Sequence, residues 1–159
     1  MLYLGYFLVL LVAFVMMEGI AWALHKYVMH GFLWILHEDH HRPHKKRLEK
    51  NDFFAIIFAV PSWLFMMFGI MDGNDYKLYI GIGITLYGIC YLLVHDGLIH
   101  KRYKLFSKVK NPWLIALQKG HQAHHAHKPR EKSLCFGMLF VPLKFYKAAL
   151  REQKLSSLK

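Results

Sequence analysis

The chain has 159 residues, of which 55% are hydrophobic and 16% aromatic, and its formal net charge at pH 7 is +11. A chain of this length and apolarity is unlike a soluble domain, so the composition predicts an integral membrane protein. The positive charge does not indicate nucleic-acid binding, because the basic residues flank apolar segments, where they contact lipid headgroups and set topology. We therefore expect the lipid bilayer as a partner and no nucleic acid.

In chain order, three apolar segments approach the roughly 20 residues that a helix needs to cross the hydrocarbon core. The predicted spans cover about residues 2–24, 53–71 and 76–94. The first is interpreted as a retained span, because it lacks the positive start and small-residue cleavage site of a secretion signal. The second and third are joined by the turn-forming residues 72–75, so they form a hairpin.

Lysine and arginine concentrate in residues 26–50 and after residue 100, and the positive-inside rule places both regions in the cytoplasm. One domain is predicted, with cytoplasmic histidine regions at 25–52 and 95–132 and an interfacial tail at 133–159. Pro142, Lys144 and Lys147 interrupt the tail before it reaches spanning length, which favours an amphipathic surface helix. A fourth span or a re-entrant segment is the alternative. Asn51 and Asp52 are expected to cap the second span.

Ten of the twelve histidines fall into four clusters. The spacing H-x4-H followed by H-x2-H-H occurs once after the first span and again after the third, whereas His44 and His127 are isolated and are interpreted as ordinary polar residues. The clusters are HKYVMH (His25, His30), HEDHH (His37, His40, His41), HDGLIH (His95, His100) and HQAHH (His121, His124, His125).

These spacings have a geometric meaning. On an α-helix of about 3.6 residues per turn, positions i+3 and i+4 lie on the same face as i, so H-x2-H-H brings three imidazoles together. Position i+5 lies about 140° away, so H-x4-H suits a shared site only where the helix is π-wound or ends between the two histidines. Ten ligands exceed the needs of one metal, and imidazole suits iron, zinc, copper and nickel. The sequence therefore predicts two metals of undetermined identity.

The four clusters resemble the histidine boxes of the membrane fatty acid hydroxylase superfamily. Their surroundings, including EGIAWALHKYVMHG, VHDGLIHKR and CFGMLFVP, are similar to those of the bacterial β-carotene hydroxylases. The resemblance covers roughly residues 18–142. It implies an all-α enzyme of the bacterial inner membrane, with two non-haem iron ions held by the ten clustered histidines. It also implies O2-dependent hydroxylation of carbons 3 and 3′ of the rings of membrane-dissolved β-carotene, giving β-cryptoxanthin and then zeaxanthin, with ketolated rings as further substrates.

Two carboxylates near the clusters are candidates for orienting the ligands. Glu18 lies about two turns before His25 inside an apolar span, where it either accepts a ring N–H or makes an interhelical contact. Asp96 directly follows His95. Because the chain has no flavin or nicotinamide fingerprint such as G-x-G-x-x-G, electrons are expected from an external donor of the ferredoxin type, attracted to the basic face.

Other interpretations share some of these features. A fatty acyl or sterol hydroxylase of the same superfamily would have the same metal site and a different substrate groove, and a carotenoid ketolase also carries histidine boxes. A membrane transporter or sensor of zinc or copper is an alternative of another class. Transporters usually bind their ions near the bilayer midplane on broken helices, whereas these clusters lie at the ends of the spans.

Overall fold

The computed structural model describes residues 2–42, 48–103, 106, 109–126 and 134–156. Every regular element in these residues is helical, and three helices are long and apolar enough to cross a membrane: Leu2–Phe32, Lys50–Met71 and Tyr76–Ile99. The predicted all-α membrane fold is confirmed. The isolated His44 and His127, and parts of the predicted histidine regions and tail, lie outside the described residues.

The three long helices are each built from more than one type of helical winding. α1 (Leu2–Ala23) continues into a first π-helical segment, Leu24–Phe32, and is followed by the short α2 (Trp34–His37) and a 3-10 turn, Asp39–His41. A second 3-10 turn, Lys50–Phe53, leads into α3 (Phe54–Met71). α4 (Tyr76–Tyr91) continues into a second π-helical segment, Leu92–Ile99, and α5 (Pro112–His125) and α6 (Leu143–Ser156) follow.

The α3–α4 hairpin closes as the sequence predicts. Gly73 and Asn74 both have positive φ in the turn, and the Asp75 side chain caps α4 by accepting from the Lys77 backbone N–H at 2.9 Å. Close to the turn the helices touch through a glycine, because a Cβ placed on Gly69 would lie 2.1 Å from the backbone nitrogen of Leu78. Such small residues allow membrane helices to approach closely.

α1 packs against α4 in the same way. A Cβ on Gly83 would lie 2.7 Å from the carbonyl oxygen of Leu10, and the rings of Tyr6 and Tyr79 stack at 4.5 Å. The three long helices therefore form one packed unit. Their π-helical ends and the start of α3 lie together on one side of this unit, and the histidines lie there.

The C-terminal region is not a fourth span within the described residues. α6 has 14 residues, fewer than the roughly 20 that spanning requires, and it packs on α5 through Trp113 and Tyr146. Asn111 caps α5 by accepting from the Trp113 N–H at 2.8 Å. Before α6, residues 134–142 have no regular structure and cross the histidine side of the bundle, a placement that the interfacial-tail prediction did not include.

Candidate metal centre

The π-helical segments position the two H-x4-H pairs. His25 and His30 lie within the first segment, and His95 lies within the second with His100 directly after it. The His100 N–H donates to the His95 carbonyl at 2.9 Å, an i to i+5 bond. Such bonds place residues five apart on one face. Of the two arrangements that the spacing permitted, π winding is the one found.

The two H-x2-H-H clusters lie on ordinary helical turns. His37 ends α2, and His40 and His41 follow on the 3-10 turn, whereas the other cluster occupies the last turns of α5. His37, His95 and His124 are at most 2% exposed. All four sequence clusters therefore meet at the same place, although they come from four separate parts of the chain.

Nine of the ten predicted ligands form two groups in which the nitrogens that could bind a metal lie within 4.8 Å of one another. The five-histidine group is His25, His30, His37, His41 and His124, and the four-histidine group is His40, His95, His100 and His121. His125 lies between them. Its ring is 4.4 Å from that of His41 and 4.8 Å from that of His40, and its Nε2 is 2.7 Å from the Nε2 of His121.

The hydrogen bonds of the five-histidine group show which nitrogens face inward. His25 Nδ1 donates to the Phe136 carbonyl at 2.9 Å, and His37 Nδ1 donates to the Asn51 side-chain oxygen at 2.6 Å. A neutral imidazole carries one proton, so each Nε2 is a bare lone pair. These two Nε2 atoms are 3.1 Å apart. Two lone pairs at this distance repel each other unless a cation lies between them.

The four-histidine group repeats this arrangement. His40 Nδ1 donates to Glu49 and His95 Nδ1 donates to Asp96, both at 2.7 Å, and their Nε2 atoms face each other at 3.1 Å. Histidine ligands usually donate their second N–H to a carboxylate or a carbonyl in this manner, which fixes the tautomer and the ring orientation.

The distances fit a metal ion in each group. Imidazole nitrogen binds such ions at about 2.0–2.1 Å, so neighbouring ligands at right angles are about 3.0 Å apart and opposite ones about 4.2 Å. The 3.1 Å pairs lie close to the distance for neighbouring ligands, and the 4.8 Å limit of each group is somewhat longer than the distance for opposite ligands. Imidazole suits iron, zinc, copper and nickel, so the geometry fits a two-metal centre without naming the metal.

Burial keeps the histidines in the neutral form that binds metal. Removal from water, together with the neighbouring histidines, lowers the pKa of His37 to about 3 and that of His124 to about 2, against the upward effects of the hydrogen bonds to Asn51 and Leu134. The same causes hold the pKa of His40 and His121 well below the ordinary value. Because metal ligands must be deprotonated, the site is ready for metal at neutral pH.

Several partners of the histidines were missed by sequence reasoning. Asn51 was predicted as a helix cap, but its side chain binds His37, and Glu49 occupies the N-cap position. Phe136 and Leu134 contribute carbonyl oxygens, the latter 3.1 Å from His124 Nδ1. Backbone carbonyls carry no sequence signal. The position of Asn51 in the first histidine region, residues 25–52, was the only clue to its contact.

The two predicted orienting carboxylates have different surroundings. Asp96 accepts from His95, and its other oxygen accepts from Arg102 at 3.2 Å, while Arg102 also makes two bonds to Asp52 at 2.7 and 2.8 Å. The hydrogen bonds of the buried Glu18 go to the Tyr87 hydroxyl and to the backbone N–H groups of residues 138–140, and not to a histidine ring.

The chain is similar in sequence to known proteins of one family. The family model described as fatty acid hydroxylase matches residues 10–143. A β-carotene hydroxylase of Pantoea ananas is 39% identical over 154 residues, covering 96% of this chain and 87% of the relative. One from Pseudescherichia vulneris is 39% identical over 134 residues, covering 84% and 76%.

The similarity extends to plants. A chloroplastic β-carotene 3-hydroxylase of Arabidopsis thaliana is 37% identical over 126 residues, covering 76% of this chain and 40% of the relative. No solved structure matches the chain. The family match covers both histidine groups and the greater part of the three long apolar helices.

Proposed function

The chain belongs to the fatty acid hydroxylase family, and we propose that it hydroxylates carbons 3 and 3′ of the rings of β-carotene, giving β-cryptoxanthin and then zeaxanthin. Ketolated rings are proposed as further substrates. The observation that carries the proposal is the pair of buried histidine groups, each with facing bare Nε2 atoms, at the ends of membrane-length helices. The relatives are β-carotene hydroxylases, which supports a carotenoid as the substrate.

The histidine groups are proposed to hold two iron ions. The five-histidine group would hold one ion and the four-histidine group the other, with His125 available to either. Bound iron would supply the oxidation by O2 of an unactivated C–H bond, a reaction that no positioned base performs. One oxygen atom enters the C–H bond, and two electrons and two protons reduce the other oxygen atom to water.

The residues that are hydrogen-bonded to the histidines are proposed to orient the ligands. His25 and His124 are held by the carbonyls of Phe136 and Leu134. His37, His40 and His95 are held by the side chains of Asn51, Glu49 and Asp96. Because these histidines are fixed by hydrogen bonds and mostly buried, their nitrogens need little rearrangement to bind metal. The orienting roles of Asp96 and, through residues 138–140, of Glu18 are part of the proposal.

The surroundings of the enzyme follow from its charge. We propose that it lies in the bacterial inner membrane with the histidines on the cytoplasmic side, because lysine and arginine concentrate in the same regions as the histidines. The electrons would come from an external protein of the ferredoxin type, whose acidic surface complements these basic regions.

Pigment analysis tests the proposal. A bacterium that accumulates β-carotene would express the unmodified chain, His124→Ala or His44→Ala, with an electron donor present, and the pigments would be separated by liquid chromatography and weighed by mass spectrometry. We expect products one and two oxygen atoms heavier from the unmodified chain and from His44→Ala, and none from His124→Ala. Unchanged β-carotene beside an inserted, iron-loaded chain would contradict the proposal, and lipid or sterol products would favour the related hydroxylases.

A further inference from the structure

A large cavity lies between α1, α3 and α4, beside the histidine groups. Its volume is about 1060 Å³, at the upper end of the roughly 300–1000 Å³ typical of ligand pockets. His25 and Asp96 are both part of its wall, so the cavity reaches the five-histidine group and the carboxylate that binds His95. The cavity is therefore continuous with the candidate metal centre.

The cavity is a groove that follows the helices into the membrane-spanning region. Along α1 and the π-helical segment that continues it, the wall is formed by residues four apart, including Met17, Ala21 and His25. On α3 the wall runs from Phe54 to Met66, twelve positions along the helix, or about 18 Å at 1.5 Å per residue. One end of the groove thus lies at the histidines and the other lies deep among the spans.

The groove opens sideways between α3 and α4. On the side of the hairpin turn these helices pack closely at Gly81, where an added Cβ would lie 2.7 Å from the Ser62 carbonyl oxygen. Further toward the histidines, Gly88 lines the groove, is exposed, and would have nothing within 4 Å of an added Cβ. Ala59 and Leu92 are likewise exposed lining residues. A ligand dissolved in the bilayer can enter here without crossing water.

The polar groups midway along the groove need no polar ligand. The Ser62 hydroxyl donates to the Gly81 carbonyl at 2.8 Å and lies 2.6 Å from the Thr85 hydroxyl, which in turn is 3.0 Å from the same carbonyl. Both hydroxyls are therefore satisfied by the protein. Burying a ligand hydroxyl or carboxylate in this part of the groove without a partner would be unfavourable, whereas a hydrocarbon chain has no such cost.

We infer that this groove binds one half of a long, unsubstituted hydrocarbon polyene, with its ring at the His25 end, and that Gly88 sets the width through which the chain passes. The inference rests on the proposed function, because that function supplies the substrate class. Gly88 is the informative position, since it lines the groove and a Cβ added there would have nothing within 4 Å, which leaves room for a larger side chain.

The test measures binding separately from catalysis. The unmodified chain, Gly88→Phe and Gly88→Ala would be purified in detergent from bacteria that accumulate β-carotene, and carotenoid and iron per chain would be measured. Gly19→Phe is the matched control, because Gly19 is exposed on α1, has nothing within 4 Å of an added Cβ, and does not line the groove. Pigment analysis of the same cells would report hydroxylation.

We expect Gly88→Phe to carry and hydroxylate about tenfold less carotenoid, because the added ring would occupy space that the bound chain needs. Its iron content should equal that of Gly19→Phe, and Gly88→Ala should fall between Gly88→Phe and the unmodified chain. Equal carotenoid binding and product formation by Gly88→Phe and Gly19→Phe would overturn the inference and leave the proposed function standing. Carotenoid binding that depends on Gly88, with no oxygenated product from the unmodified chain, would overturn the proposed function instead.

Discussion

The Tyr87 hydroxyl on α4 donates a 2.7 Å hydrogen bond to the Glu18 carboxylate on α1, and both residues are buried. The other carboxylate oxygen accepts from the backbone N–H groups of residues 138–140, at 2.8, 2.9 and 3.2 Å. Glu18 therefore fastens residues 134–142 to the spans. Because Phe136 in this segment accepts a hydrogen bond from His25 through its carbonyl, Glu18 is connected to the candidate metal centre through the backbone of the tail.

Replacing Glu18 by alanine should release residues 138–140 and loosen His25. We expect a lower iron content and a loss of stability of roughly 1–3 kcal/mol, the usual cost of leaving a buried donor without its partner. The effects of Glu18→Gln should be smaller, because its amide oxygen can still accept the backbone N–H groups. Metal analysis and thermal unfolding in detergent would measure both effects.

The control for this prediction is Tyr87→Phe, which removes one bond to Glu18 and keeps the three from the backbone. Its iron content should stay close to that of the unmodified chain. If Glu18→Ala also retained full iron and full activity, the carboxylate would have no part in positioning the ligands.

Asp96 is expected to act more directly, since it accepts from His95 and is bonded to Arg102. Asp96→Ala should weaken metal binding by about 10–100-fold, the usual effect of removing the partner of a ligand histidine. The metal affinity of Asp96→Asn should lie between those of the unmodified chain and Asp96→Ala, because the amide oxygen can still accept the ring N–H. Competition with a chelator of known affinity would measure the change.

Glu38→Ala is the matched control, because Glu38 is paired with the exposed Arg42 and exposed ion pairs contribute little. Its metal affinity should not change. Similar affinities for Asp96→Ala and Glu38→Ala would show that the orientation of His95 does not depend on Asp96.

The histidine spacing predicted more of the site than the hydropathy did. Two copies of H-x4-H required either π winding or a helix end, and both copies are built on π-helical segments. The tail could not be predicted, because its contacts are made by backbone N–H and carbonyl groups that any residue carries. The groove could not be predicted either, because its opening depends on how far α3 and α4 separate beyond Gly81.

The separation of α3 and α4 starts from their contact at Gly69. A Cβ there would lie 2.1 Å from the backbone nitrogen of Leu78, which cannot move away as a side-chain tip could. Gly69→Ala should therefore destabilise the protein by about 1–3 kcal/mol, the usual cost of overpacking. Thermal unfolding in detergent would show a lower midpoint. Gly5→Ala, with nothing within 4 Å, should leave the midpoint unchanged or raise it, and equal midpoints for both variants would contradict the close contact.

Removing the metal should leave bare lone pairs facing each other at 3.1 Å in both groups. We expect chelation to lower the unfolding midpoint markedly, and added Fe(II) to restore it with about two ions per chain, because bound metal contributes directly to folding. His124→Asn should lose this response, whereas His44→Ala, outside the clusters, should retain it. If neither the chelator nor added iron changed the unfolding midpoint, the protein alone would hold the facing nitrogens in place. The proposal of two metal ions would then be wrong.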